Sequence, residues 1–96
     1  MSNNIVSIRL VSGEELITEY HSFPASNESL TISRPFVLQV MHFQDSKSGL
    51  VLVPWFNSNP EAKEIQIAKI HILGMTIPLE EVMKSYLSQT SGIKLI

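Results

Sequence analysis

The residues in this sequence able to do chemistry are three histidines and a few aromatic side chains. His21, His42 and His71 could ligate a zinc-type ion if Glu14, Glu15 or Glu19 folded beside them, because imidazole and carboxylate are suitable ligands. No two of them stand at a close ligand-pair spacing, and each falls in a strand-like pattern. They read as surface or boundary histidines, so neither a metal nor any other cofactor is expected. A second set, His21, Phe23 and Asn27, surrounds one loop, where a ring can stack on a base while polar groups read its edge. The same residues suit a plain structural role, with Phe23 packed into the mouth of a β-structure and Asn27 shaping a turn. Trp55, with Val51, Val53 and Phe56, forms a ligand platform, a subunit contact or a plain core cluster, and aromatics beside apolar edge strands commonly anchor interfaces. No nucleophile elbow, phosphate loop or paired Ser and His constellation occurs, so an enzyme is not expected.

The elements that must position these residues are mostly strands. Val6, Ile8 and Leu10 alternate with Ser7 and Arg9, predicting a half-buried strand over 5–11. Gly13 then suits a tight reversal into a second strand over 15–21, with Leu16 and Tyr20 on one face. Pro24, Asn27 and the serines around them predict a loop over 22–29. A long β pattern follows from Leu30 to Phe43. Pro35 removes a ladder donor there, so the segment is two strands or one strand strongly bent. The fourth strand, 50–56, is apolar on both faces yet contains Pro54, which favours a sheet edge; such an edge calls for a covering partner. The fifth is predicted over 64–73, with Ile65, Ile67, Ile70 and Ile72 brought to one side by a bulge near Ala68 and Lys69. Beyond Gly74 the period changes. Leu79, Val82, Met83, Tyr86 and Leu87 mark an amphipathic helix over about 78–90, with Pro78 at its start, Glu80 and Glu81 at the positive end of its dipole, and Gly92 as its stop.

Composition narrows the function classes. Ninety-six residues, 44% hydrophobic and 17% charged, suit one folded domain. The net charge is −2 and the seven basic residues are scattered, so any nucleic-acid binding has to rest on local geometry rather than on a basic stripe. With no cysteine, neither disulfides nor thiolate zinc sites are available. The first residues lack signal-peptide character and no apolar run reaches membrane length, so a cytoplasmic location without membrane contact is expected.

Taken together, the five strands over 5–73 with a bent third strand resemble the Sm-like fold of the Sm, LSm and Hfq proteins. The run from Ile5 to Glu15, an apolar strand entering a glycine turn, is similar to the start of that family. Phe23, Asn27 and Leu30-Thr31-Ile32 resemble its first motif, and Ile70-His71-Ile72-Leu73-Gly74 the end of its second. In overall pattern the chain is most similar to short Sm-like proteins of marine tailed phages. The expected fold is mainly β: a small five-stranded, strongly bent Sm-like (SH3-like) barrel over about 5–74, with a short C-terminal helix. The resemblance implies a homo-oligomeric ring in which the fourth strand pairs with a neighbour's fifth, placing Val51, Val53, Trp55, Ile65 and Ile67 at the interface. It also implies single-stranded RNA as a ligand of His21, Phe23, Asn27 and Gly74. The chain departs from the pattern at Pro24, where the family has an acid, at Asn27, which comes one residue early, and at Leu73, where the family has a basic residue. The family's helix precedes the barrel, whereas this one follows it. The alternative is a structural or adaptor module that uses the same barrel to hold a protein partner, with no nucleic-acid activity.

Overall fold

The computed structural model describes residues 4–21, 28–42, 44 and 48–95, of which 91–95 are backbone only. Alternating apolar residues build the first hairpin: β1 (Ile5–Leu10) and β2 (Glu15–Tyr20) pair antiparallel from Ile5 opposite Glu19 to Arg9 opposite Glu15. Gly13 makes the reversal with a φ of 101°, where a side chain would be strained. The Gly13 N–H donates to the Leu10 carbonyl and the Leu10 N–H to the Glu14 carbonyl, each at 2.9 Å.

The long strand β3 (Ser29–His42) organises the rest. On one side it pairs with β2, and a register shift between Ile17 and Glu19 lets both strands turn. On its other side, β4 (Ser48–Pro54) pairs with residues 36–42 of β3, and β5 (Ile65–Ala68) pairs with residues 29–32. Between these two stretches lie Arg34, with a left-handed φ of 52°, and Pro35, which has no N–H to give. The chain over 55–64 leaves β3 and returns to the same side of it. It is tied at both ends: Trp55 N–H donates to the Pro35 carbonyl (3.0 Å), and Arg34 N–H donates to the Ala62 carbonyl (2.6 Å). β4 and β5 therefore occupy one strand position, interrupted where β3 bends.

A 3-10 turn at Lys69–His71 leads into β6 (Ile72–Thr76), which pairs antiparallel with β1. The sheet order is β4-β3-β2-β1-β6, with β5 on β3. β5 bonds to β3, and the chain runs on from it through the 3-10 turn into β6, which bonds to β1. The inner face of the bent sheet carries Ile8, Leu10, Leu16, Leu30, Ile32 and Ile67, with Tyr20, Val37 and Trp55 against them. The outer face of the sheet supplies Ile5, Ile17, Phe36 and Leu52, covered by α1 (Glu80–Leu95) through Val82, Met83 and Tyr86. The Phe36 and Tyr86 rings meet edge to face at 5.7 Å, a geometry worth about 0.5–1.5 kcal/mol beyond burial alone.

Three expectations are corrected. The fifth strand is not continuous: instead of a bulge, the chain takes a 3-10 turn to step from β3 across to β1, held by Lys69 N–H on the Glu28 carbonyl (2.8 Å) and Val11 N–H on the His71 carbonyl (2.9 Å). Ile70 is thereby turned out, 82% exposed. The helix does not stop at Gly92 but runs to Leu95, since a glycine weakens a helix by only about 1 kcal/mol and no proline follows. Its apolar seam is also narrower than the sequence pattern, because the helix rests on a single sheet face. Leu79 and Leu87 point away, and Thr90 takes the next buried place, its hydroxyl donating to the Tyr86 carbonyl at 3.0 Å.

Candidate assembly interface

The sheet ends at β4 on one side and β6 on the other, and both ends carry apolar side chains without cover. Residues directly opposite each other in a ladder share a face. Val53 stands opposite Val37, which packs against the inner core, so Val53 and Val51 lie on the inner face of the sheet, both half-buried. Leu50 stands opposite Val40 on the outer face, and these two are 56% and 58% exposed. At the other end, Met75 stands opposite the core residue Ile8 and is therefore on the inner face. Met75, Leu73 beside it, and Ile77 and Leu79 just beyond are all exposed. An edge strand offers a row of unpaired N–H and C=O groups, and apolar side chains along it favour pairing with another chain.

The residues singled out from the sequence separate in the structure. Val51, Val53 and Trp55 lie on or just past the β4 edge, with Trp55 half-buried against the inner core and 5.0 Å from the exposed ring of Phe56. Ile65 and Ile67 lie in β5, where Ile67 is buried in the core and Ile65 packs against it. Among the described strands, β4, β5 and β6 each pair on one side only; the exposed apolar residues lie along β6, of which the expected fifth strand over 64–73 took in only Ile72 and Leu73. Phe23 and Asn27 lie outside the described residues. Glu28, at the end of their loop, accepts the Lys69 hydrogen bond, so that end of the loop stands beside the 3-10 turn. His21 is half-buried, its Nε2 2.9 Å from Ser33 Oγ and its backbone N–H on the Thr31 carbonyl at 3.0 Å. Gly74 lies opposite Arg9 in mid-strand; a methyl group there would meet nothing within 4 Å. Among the described residues, no three His, Asp or Glu side chains gather where they could hold a metal ion, and no helix is long and apolar enough to cross a membrane.

A polar cluster that the sequence pattern did not signal fixes the bend. The Arg34 guanidinium is largely buried and pairs with Glu19 at 2.6 Å. Burial pulls its pKa down, but the hydrogen bond and charge of Glu19 outweigh that and leave it raised. The Tyr86 hydroxyl donates to the Arg34 carbonyl at 2.8 Å and lies 3.4 Å from the Ser33 carbonyl. Thr18 Oγ1 donates to that same Ser33 carbonyl at 2.8 Å, and Glu64 N–H donates to Ser33 Oγ at 3.2 Å. Burial, followed by the charge of Glu19, pushes the Tyr86 phenol well above its ordinary range. The cluster thus joins β2, the bend of β3, the 55–64 excursion and the helix. No family model matches the chain, and no curated protein matches it.

Proposed function

We propose that the chain is an Sm-like ring-forming protein whose copies join the β4 edge of one protomer to the β6 edge of the next. The observation that carries this reading is the pair of unpaired apolar edges at opposite ends of one bent sheet. Val51 and Val53 lie on the inner face at one edge, and Met75 lies on the inner face at the other. Joining unlike edges continues each face of the sheet from protomer to protomer, so these side chains would meet. One heterologous contact repeated around a closing rotation gives a ring. The bent β3, shared by β4 and β5 on one side, and the antiparallel order around it support the Sm-like barrel within that reading. Because Ile67 is buried in its own protomer's core, the neighbour's contribution moves from the expected fifth strand to β6. Light scattering across a concentration series tests the proposal: one discrete mass of three or more protomers supports it, and a monomer or dimer at high micromolar concentration overturns it.

Single-stranded RNA as the cargo is what the resemblance adds. Titration with short uridine-rich and adenine-rich RNAs at moderate salt checks it, and no salt-dependent binding removes it. The second reading, an adaptor module for a protein partner, is favoured by a specific observation: the outer face carries an apolar groove bordered by carboxylates, which repel phosphates.

A further inference from the structure

We propose that the groove between β3, β4 and the first turns of α1 binds a segment of another protein that carries apolar anchors and a lysine or arginine. The floor is Leu38, Leu50 and Leu52, the wall is Val82, and Glu81 stands on the rim. A second compartment continues past Leu38 and Leu50 to Ile77, Pro78 and Leu79, with Glu15 at its far side. The two have volumes of about 260 and 240 Å³ and share Leu38, Leu50 and Val82. They are open, joined and side-chain sized, which suits successive anchors of one polypeptide segment better than a cofactor.

Charge selects among such segments. Glu81 has no hydrogen-bond or ion-pair partner among the described residues. Glu15 and Glu14 add two carboxylates; Arg9, the cation lining this face among the described residues, is held by Glu15 at 3.4 Å and by the Gly13 carbonyl at 2.9 Å, which leaves Glu81 and Glu14 without a cation. The groove therefore offers apolar contact plus uncompensated negative charge, the complement of a basic amphipathic segment. It shares Leu50, Ile77 and Leu79 with the uncovered apolar residues at the two edges but does not use the edges' hydrogen-bonding groups. The hydrogen-bonding groups of β4 lie in the plane of the sheet, whereas Leu50 and Leu52 project from its outer face.

The test is fluorescence anisotropy of a labelled amphipathic peptide of leucine and lysine, against two counterparts in which glutamate replaces lysine or serine replaces leucine. The wild-type protein is expected to bind the leucine and lysine peptide alone. Glu81→Lys is expected to weaken binding about tenfold, a change of about 1.4 kcal/mol, while Glu61→Lys, on the excursion loop, leaves it within about twofold as a control for net charge. Equal loss in both variants, equal binding of all three peptides, or no binding of the first overturns the proposal. Light scattering of the same samples separates this site from the assembly. If the peptide lowers the oligomer mass, the groove's occupant is a second copy of this chain and the proposal fails, whereas a monomer that still binds the peptide selectively sustains it.

Discussion

Tyr86 shows how one residue in the helix controls a distant bend in the sheet. It is fully buried, yet its hydroxyl reaches the Arg34 carbonyl, next to a residue held at a left-handed φ. Removing that hydroxyl takes the phenol donor from the buried Arg34 carbonyl, so Tyr86→Phe is expected to lower stability by about 1–3 kcal/mol, measured by urea denaturation. The pH dependence has a defined sign. The phenol's folded pKa is raised above the unfolded value of 10.0, so its contribution is fully present below about pH 10 and is lost as pH rises beyond it. Wild-type stability should fall in that alkaline window, and Tyr86→Phe should have a shallower decline there; equal slopes would show that the phenol's pKa is the same in the folded and unfolded chain. Gly13 gives a second case. Its added methyl would meet no neighbour, so the cost of Gly13→Ala is purely the φ of 101°. The expected loss is about 1 kcal/mol or more in midpoint-derived stability.

At the scale of elements, α1 acts as a lid on the outer face of the sheet. Without it, Ile5, Ile17, Phe36 and Leu52 would lie in water, and each large apolar side chain so exposed costs about 1.5–3 kcal/mol. A chain ending at Thr76 is therefore expected to bind a hydrophobic dye or precipitate, and a soluble, dye-silent truncation would refute that role. The elements differ in how openly the sequence displays them. The first hairpin was legible because a period of two and one glycine specify it locally. The bend of β3 was legible because Pro35 cannot donate to a ladder, and the β4 edge because Pro54 closes an otherwise two-faced apolar strand. The separation of β5 from β6 was not, because Ile65, Ile67, Ile70 and Ile72 have the composition of a single strand. Only the tertiary need to cross from β3 to β1 turns Ile70 outward. The ion pair of Arg34 and Glu19 was likewise silent, since it joins residues fifteen apart through a register shift that no local pattern encodes. The groove was hidden for a related reason: Leu38, Leu50 and Val82 come from three elements and each suits an ordinary core position in its own segment.

For the whole molecule, the question is whether the two edges meet each other or themselves. A β4 edge pairing with another β4 edge makes an isologous dimer, which leaves β6 uninvolved; a β4 edge pairing with β6 makes a heterologous contact that propagates or closes. Charge placed at one edge distinguishes these cases, because an unpaired charge buried in an apolar contact costs several kcal/mol. Val51→Lys and Met75→Glu lie on the inner face at opposite edges, where each charge would be set against an apolar neighbour. In a heterologous ring, either variant alone is expected to dissociate to smaller species by light scattering. Mixing the two should restore mixed assemblies, since the lysine-bearing β4 edge then faces the glutamate-bearing β6 edge and the remaining contacts are wild type. In an isologous β4 dimer, Met75→Glu would leave the mass unchanged and mixing would rescue nothing. Restored mass in the mixture, diminished again by salt that screens the new pair, is the outcome that places both edges in one interface.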